Sequence, residues 1–238
     1  METNNPRHTR KQIDVNLPFD KYRSNIYSQN GEDGVIDEIL KRLNLFGDNK
    51  WCVEFGAWDG KHLSNTFALV ERNNFNAIYI EGDERKFRDL LNTAHSHPRI
   101  IPILAFVNRQ SSDEKSLDRL LQQTPIPSEF DLLSIDIDSY DLDVWESLSN
   151  YSPKIVVIEI NSSIPPGIIL RHSGKISGNT FTATCNVAQQ KNYTLVCHTG
   201  NLIFVRNAEV SKLNLEARFL IYPDLLFSTD WISGGASY

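Results

Sequence analysis

WCVEFGAWDG, residues 51–60, is the stretch on which the fold prediction depends. Its first half suits a buried strand, with Val53 and Phe55 two positions apart, and its second half is a turn that contains Gly56 and Gly60. Because glycine has no side chain, a turn of this kind lets a ligand approach the backbone. The stretch therefore predicts a strand that runs into a ligand-binding loop, and a plain strand-to-helix turn is the alternative interpretation.

A second unit of the same kind lies at residues 77–83, AIYIEGD. Its apolar run ends in Glu81, Gly82 and Asp83. An acidic residue at the carboxyl end of the second strand in such a unit is positioned to bind both hydroxyls of a ribose. Glu81 is therefore a candidate ribose ligand, whereas Asp83 is explained equally well as the N-cap of the next helix.

Apolar runs and helical periodicity alternate along the chain. The predicted strands are 51–55, 77–80, 100–107, 130–137, 154–160, 193–196 and 202–205. The predicted helices are 64–73, 84–95, 115–121, 143–148 and 182–191, after an amphipathic helix that carries apolar residues from Val35 to Leu43. This alternation predicts an α/β fold with a mostly parallel sheet, helices on both faces and a final β-hairpin. Ligands are then expected beyond the carboxyl ends of the strands.

The composition of the 238-residue chain is that of a soluble globular protein, with 40% hydrophobic and 23% charged residues. Its net charge of −6 argues against a nucleic-acid binder, because such affinity comes largely from phosphate neutralisation by Lys and Arg. Three cysteines without CxxC spacing suit a reducing compartment. No apolar run reaches the ~18 residues that cross a bilayer. We therefore expect a cytoplasmic protein without a membrane partner.

The distribution of polar and apolar residues predicts the domain organisation. Residues 1–25 are polar and predict an N-terminal arm, and residues 26–238 predict a single domain. Its last part, 207–238, carries large apolar residues such as Leu220 and Trp231. This tail is expected to pack on the domain or on a second copy in a homodimer.

Acidic and amide side chains follow two neighbouring strands of the predicted sheet. Asp136 and Asp138 end the fourth strand, and Glu159 and Asn161 end the fifth. Carboxylate and amide oxygens are the ligands that Mg²⁺ and similar divalent ions prefer. These four residues are a candidate metal site, and the alternative is that they cap turns or orient a substrate without metal. A metal there would lower the pKa of an acceptor hydroxyl.

The long loop 161–180 contains two prolines and a glycine in sequence and is expected to be functional. His172 in this loop and His198 at the hairpin turn are candidate general bases, because imidazole titrates near neutral pH. Arg171 and Lys175 flank His172 and could recognise a phosphate or carboxylate. Ordinary surface charge is the alternative for both.

The ordered motifs SQNGED, VEFGAWDG, HLSNT, IEGD, SIDID and IEIN lie within residues 26–206. With them the chain resembles class I S-adenosylmethionine-dependent methyltransferases, and within that class the FkbM-like small-molecule O-methyltransferases. The resemblance implies a Rossmann-like methyltransferase fold, a seven-stranded sheet that ends in an antiparallel hairpin. It also implies S-adenosylmethionine as cofactor. Ser139 stands where FkbM-like sequences often have glycine, a departure that concerns the acceptor pocket.

The resemblance also implies which residues bind the cofactor. Glu54 would hold the ammonium of the ligand, Gly56 would let its methionine portion pass the backbone, and Asp136 would take part in catalysis. The full set of cofactor-binding residues is Gln29, Glu32, Glu54, Gly56, Ala57, Asp59, Gly60, Asn65, Glu81, Gly82, Ala105 and Asp136.

Three functional hypotheses follow. The first is an O-methyltransferase that acts on a small polar acceptor, a sugar or glycan precursor, with or without a divalent ion. The second is a metal-dependent glycosyltransferase that uses Asp136 and Asp138 as its DxD motif, which leaves the glycine loop and Glu81 unexplained. The third is a non-catalytic cofactor-binding module.

Overall fold

The structure is a computed structural model that describes residues 16–173 and 175–229 and contains a seven-stranded sheet. The strands are β1 (Trp51–Phe55), β2 (Asn76–Glu81), β3 (Ile100–Leu104), β4 (Leu132–Ile135), β5 (Ile155–Glu159), β6 (Tyr193–His198) and β7 (Asn201–Arg206). Their order is β3-β2-β1-β4-β5-β7-β6, and β7 is antiparallel to both of its neighbours. The other neighbouring pairs are parallel. The predicted Rossmann-like α/β fold, a mostly parallel seven-stranded sheet that ends in an antiparallel hairpin, is confirmed.

The described residues also form helices before, between and after the strands. They are α1 (Glu32–Leu43), α2 (Phe67–Asn73), α3 (Glu84–Ser96), α4 (Leu117–Gln122), α5 (Asp141–Ser147), α6 (Phe181–Gln190), α7 (Asn207–Val210) and α8 (Ala217–Ile221). Short 3₁₀ turns lie at Asp20–Tyr22, Ser211–Leu213 and Pro223–Leu226. None of these described helices has the length and apolar character needed to cross a membrane.

The core lies on both faces of the sheet because the side chains of each strand alternate between them. On β1, Val53 and Phe55 belong to one hydrophobic cluster and Cys52 belongs to the other. The second cluster also contains the apolar face of α1, for example Ile36 and Ile39. All five of these side chains are inaccessible to solvent, so burial on both faces fixes the register of the central strand.

Several elements begin or end at residues other than those predicted. Helix α2 begins at Phe67 and not at 64, with Thr66 as its N-cap residue, and the hydroxyl of Ser64 accepts the N–H groups of Thr66 and Phe67 in the turn before it. Strand β4 ends at Ile135, and the chain turns at Asp138, whose φ is +57°. Strand β3 ends at Leu104, before the predicted limit of 107.

Part of each predicted terminal segment is described. Phe19 is completely buried and packs with the α1 side of the core, and Arg23 donates to the carbonyl of His198 at 2.9 Å. In the tail, Phe219 and Leu226 are buried against the opposite cluster. Residues 1–15 and 230–238, which include Trp231, lie outside the described residues.

Candidate functional site

A cavity of about 500 Å³ opens at the carboxyl ends of β1, β2, β4 and β5. The following predicted site residues line it: Gln29, Glu54, Gly56, Glu81, Gly82, Ala105, Asp136, Asp138 and Glu159. They come from positions spread over 131 residues of sequence, from 29 to 159. The cavity lies where a doubly wound sheet is expected to bind its ligand.

Gly56 lies where the loop after β1 contacts the segment that follows β4. Its φ is +79°, and a Cβ built on it would lie 1.7 Å from the carbonyl oxygen of Asp136. Its N–H and that of Ala57 both donate to the carbonyl of Ile80, at 3.1 and 3.2 Å. The glycine is therefore required by contact between two segments of the chain itself, besides any room that it leaves for a ligand.

Glu54 is a buried carboxylate beneath the cavity. Its oxygens accept hydrogen bonds from the hydroxyl of Ser64 at 2.6 Å, from the hydroxyl of Thr66, and from the N–H of Asn65 at 3.1 Å. Burial raises the pKa of Glu54, and the bonds from Ser64 and Thr66 oppose the rise. The hydrogen bonds hold this acid in place before any ligand arrives.

Glu81 lies at the end of β2, and two backbone N–H groups fix its carboxylate. Trp58 donates to Oε2 at 2.8 Å and Asp83 donates to Oε1 at 2.7 Å. Asp83 is itself the N-cap of α3, since its side chain accepts the N–H groups of Arg85 and Lys86. Each Glu81 oxygen keeps further acceptor capacity for a ligand that enters the cavity.

Three carboxylates meet at the ends of β4 and β5. Asp136, Asp138 and Glu159 each offer one oxygen, and these oxygens all lie within 4.8 Å of one another. Behind them, the buried Asp141 accepts the N–H groups of Ile137 at 2.8 Å and Ser139 at 2.9 Å. These two bonds shape the turn that presents Asp136 and Asp138 together.

The pKa values of two carboxyl groups in this cluster are raised. Desolvation within the cleft, followed by the charges of Asp141 and Asp138, raises the pKa of Asp136 to about 7. Desolvation and the charge of Asp136 raise the pKa of Glu159 to about 8. Because the two groups interact, they titrate as a pair. An arrangement of this kind favours a bound cation or a shared proton.

Several predicted cofactor residues do not line this cavity. These are Glu32, Ala57, Asp59, Gly60 and Asn65. Asp59 caps its own turn by accepting from the N–H groups of 61 and 62, and Asn65 donates to the hydroxyl of Ser134 at 3.1 Å. Asp59 and Asn65 therefore shape the loop after β1 and the segment before α2.

Glu32 is completely buried and holds the hairpin turn. Its Oε1 accepts from the hydroxyl of Thr199 at 2.6 Å and from the amide of Asn201 at 3.2 Å, and its Oε2 accepts from the N–H of Asn30. These bonds connect the start of α1 to the β6–β7 turn. They give Glu32 a structural function, whereas Gln29, three residues before it, lines the cavity.

Asn161 lies beside the acidic cluster but its amide is already engaged. The oxygen accepts from the N–H of Ser163 at 3.1 Å, and the nitrogen donates to the carbonyl of Ser177 at 3.0 Å. The three carboxylates thus come together without it.

The two candidate bases lie in different surroundings. His172 does not line the cavity, and its Nδ1 accepts the N–H of Gly178 at 3.2 Å. His198 is 1% exposed, with Nδ1 accepting from Ser228 N–H and Nε2 at 3.0 Å from the hydroxyl of Ser162. Both ring nitrogens of His198 are therefore used inside the fold.

We expect His198 to make the fold acid-sensitive. Burial, followed by the charge of Arg23, lowers its pKa from 6.5 to about 4. Between these pH values the unfolded chain binds a proton that the folded chain does not, so the free energy of unfolding falls as pH falls through this window, by up to about 3 kcal/mol. Denaturant unfolding between pH 7 and pH 4 measures the slope. His198→Asn should remove that part of the slope, and His95→Asn, at an exposed position on α3, should not.

Apolar side chains that the sequence interpretation did not include also line the cavity. Phe106 is 72% exposed and Trp58 is 43% exposed, and the ammonium of Lys86 lies 4.0 Å from the Trp58 ring centroid. The position of Trp58 inside the glycine loop could have indicated it from the sequence. No sequence pattern indicated Phe106, because it was predicted to lie within a strand.

The chain matches no protein-family model and no curated protein. Similar solved structures include the N-terminal domain of EvdMO1 in the presence of S-adenosylhomocysteine and D-fucose, with 11% identity, coverage of 71% of this chain and 81% of that one, and a TM-score of 0.45. TrmK of M. capricolum in complex with S-adenosylhomocysteine has 12% identity, coverage of 71% and 68%, and a TM-score of 0.42. An S-adenosylmethionine-dependent methyltransferase from Aquifex aeolicus has 10% identity, coverage of 71% and 85%, and a TM-score of 0.44. Identities and TM-scores this low carry no information on what this chain binds.

Proposed function

We propose that the protein is an S-adenosylmethionine-dependent O-methyltransferase of the FkbM-like type, acting on a small polar acceptor such as a sugar or glycan precursor. One observation carries the proposal: a single cavity joins the loop after β1, the anchored Glu81 at the end of β2, and the acidic cluster at the ends of β4 and β5. Adenosine and a polar methyl acceptor need different contacts. In this cavity the Glu81 side would suit the adenosine, and the acidic cluster would suit the acceptor.

The cofactor half of the cavity would be built from Glu81 and two apolar side chains. The Glu81 carboxylate, held by two backbone N–H groups, would accept hydrogen bonds from the ribose hydroxyls. Phe106 and Trp58 would cover the flat faces of the adenine. The carboxylate of Glu54, beneath the cavity, would attract the cationic methionine portion. When bound, the cofactor supplies a methyl group on a sulfonium.

The acceptor half would be the acidic cluster. Asp136 lies beside Glu159, and its raised pKa suits a group that accepts the proton of an acceptor hydroxyl near neutral pH. The three carboxylates of Asp136, Asp138 and Glu159 also fit a divalent ion, since their oxygens lie within 4.8 Å of one another. Such an ion would polarise the acceptor oxygen. Cytoplasmic location and a homodimer stay predictions from the sequence.

Isothermal titration calorimetry with S-adenosylhomocysteine, NAD and a nucleotide sugar tests the proposal. We expect heat of binding from S-adenosylhomocysteine alone. Binding of the nucleotide sugar alone would support the glycosyltransferase hypothesis, and no binding of S-adenosylhomocysteine would contradict the proposed function.

Replacing Glu81 by alanine should weaken the binding of S-adenosylhomocysteine by about 10–100-fold, because hydrogen bonds to a charged group contribute about 1.5–3 kcal/mol. Calorimetry measures the change. The matched control is Asp83→Ala, two residues away, which removes the N-cap of α3 and lowers stability by about 1 kcal/mol. Equal affinities for the two variants would remove Glu81 from the site.

A further inference from the structure

Beside the acidic cluster, three segments bring a stack of side chains together. The guanidinium carbon of Arg109 lies 4.1 Å from the ring centroid of Tyr140, and the ring of His172 contacts the same tyrosine edge-on at 4.7 Å. Val107 and Ser139, which lie close to these residues in sequence, line the cavity. Arg109, Tyr140 and His172 do not line the cavity themselves, and the stack lies beside its acceptor half through these two neighbours.

Hydrogen bonds hold the segments of the stack. Asn179 is completely buried, and its amide donates to the carbonyl of Ser139 at 3.5 Å and accepts from the N–H of His172 at 3.1 Å. On the other side, Asn108 donates to the carbonyl of Lys115 at 2.9 Å and accepts from the N–H of Gln110 at 2.9 Å. The backbone on both sides of Arg109 is thus fixed before a ligand binds.

The sequence analysis named Arg171 as a cation that could recognise a phosphate or carboxylate, but in the structure this side chain is already paired. Arg171 forms a bidentate ion pair with Glu146, at 2.6 and 3.0 Å. Arg109 forms no ion pair within residues 16–173 and 175–229. Since Nδ1 of His172 accepts from the backbone, the proton of its neutral ring is on Nε2, which is a donor. Arg109 and His172 thus present hydrogen-bond donors next to a cluster of acceptors.

We infer that the acceptor is an acidic small molecule, and that its carboxylate or phosphate binds Arg109 with help from His172 while its hydroxyl faces the acidic cluster. A guanidinium matches the geometry of both oxyanions, and its stacking on Tyr140 reduces the freedom lost on binding. Arg109 is solvent-exposed, so its guanidinium is open to an anionic group of the acceptor, whereas a neutral sugar offers it no charge. The inference rests on the proposed function and narrows its substrate class.

The test is calorimetry with D-glucuronate, D-glucose 6-phosphate and D-glucose, with Mg²⁺ present and with or without S-adenosylhomocysteine. We expect one of the two acidic probes to bind at least tenfold more tightly than glucose, which identifies carboxylate or phosphate as the preferred group. Arg109→Gln should weaken that binding about tenfold or more and leave the affinity for S-adenosylhomocysteine unchanged. Lys175→Gln, which removes a cation of the neighbouring loop outside the stack, should change neither.

Equal binding of glucose and the acidic probes would overturn the inference. An Arg109→Gln variant that binds both acidic probes with wild-type affinity would also overturn it. Loss of anion binding in Lys175→Gln to the same extent would also overturn it, because it would indicate general charge attraction. Failure of S-adenosylhomocysteine to bind would contradict the proposed function separately, and the arm without cofactor still tests the anion site.

Discussion

Replacing Gly56 by alanine is expected to lower the free energy of unfolding by about 3 kcal/mol or more. This is the largest loss of stability among the substitutions proposed for this chain. The added methyl group would lie 1.7 Å from the carbonyl oxygen of Asp136, and backbone atoms cannot move aside as a flexible side chain can. The positive φ of +79° adds the cost of a left-handed conformation. Urea unfolding followed by circular dichroism measures the loss.

Gly167 provides a matched control. Its φ is +93°, and a Cβ built there would meet nothing within 4 Å. Gly167→Ala should therefore cost only the left-handed conformation, about 1–2 kcal/mol. The difference between the two variants isolates the steric contact between the loop after β1 and the end of β4. Equal losses of stability would show that this contact does not hold the loop.

The second large effect is expected at Asp136, where Asp136→Asn should slow methyl transfer about 10²–10⁴-fold, because the asparagine cannot accept a proton. Release of S-adenosylhomocysteine from S-adenosylmethionine, with an acceptor found among small acidic sugars, measures the rate. Binding of S-adenosylhomocysteine should change little if, as proposed, Glu81 contributes most of that affinity. Asp138→Asn separates the two proposed roles: it should slow the reaction comparably if a metal ion is required, and much less if Asp136 acts as a base alone.

The same variant has a readout that needs no acceptor. Because the pKa of Asp136 is raised to about 7 and that of Glu159 to about 8, the folded chain binds more protons than the unfolded chain at intermediate pH. Without a divalent ion, the free energy of unfolding should therefore contain a contribution that is lost as pH rises from about 4, where these carboxyls titrate in the unfolded chain, to about 8. Asp136→Asn should reduce this loss, because Glu159 then keeps only the part of its pKa rise that does not come from Asp136, and Mg²⁺ should oppose the loss in the wild type by binding the ionised carboxylates. A slope that is identical in both proteins would show that the pair does not repel.

Much of the candidate site follows from local sequence, since a strand pattern followed by an acid places that acid at the carboxyl edge of a parallel sheet. Glu81, Asp136 and Glu159 were predicted in this way, and all three line the cavity. By contrast, Glu32 was assigned to the cofactor, but it holds Thr199 in a hydrogen bond across 167 positions of sequence. No local pattern contains such a partner.

The sequence by itself determined the alternation of strands and helices, the terminal hairpin and the acids at the strand ends, because hydrophobic periodicity and turn residues act over a few neighbouring positions. Only the tertiary structure decided that Gly56 makes room for the carbonyl of Asp136, that His198 is buried, and that Arg109 lies on Tyr140. Each of these facts joins segments distant in the chain. The physical reason is that packing and hydrogen bonding between such segments depend on the path of the whole backbone, which sequence spacing does not encode.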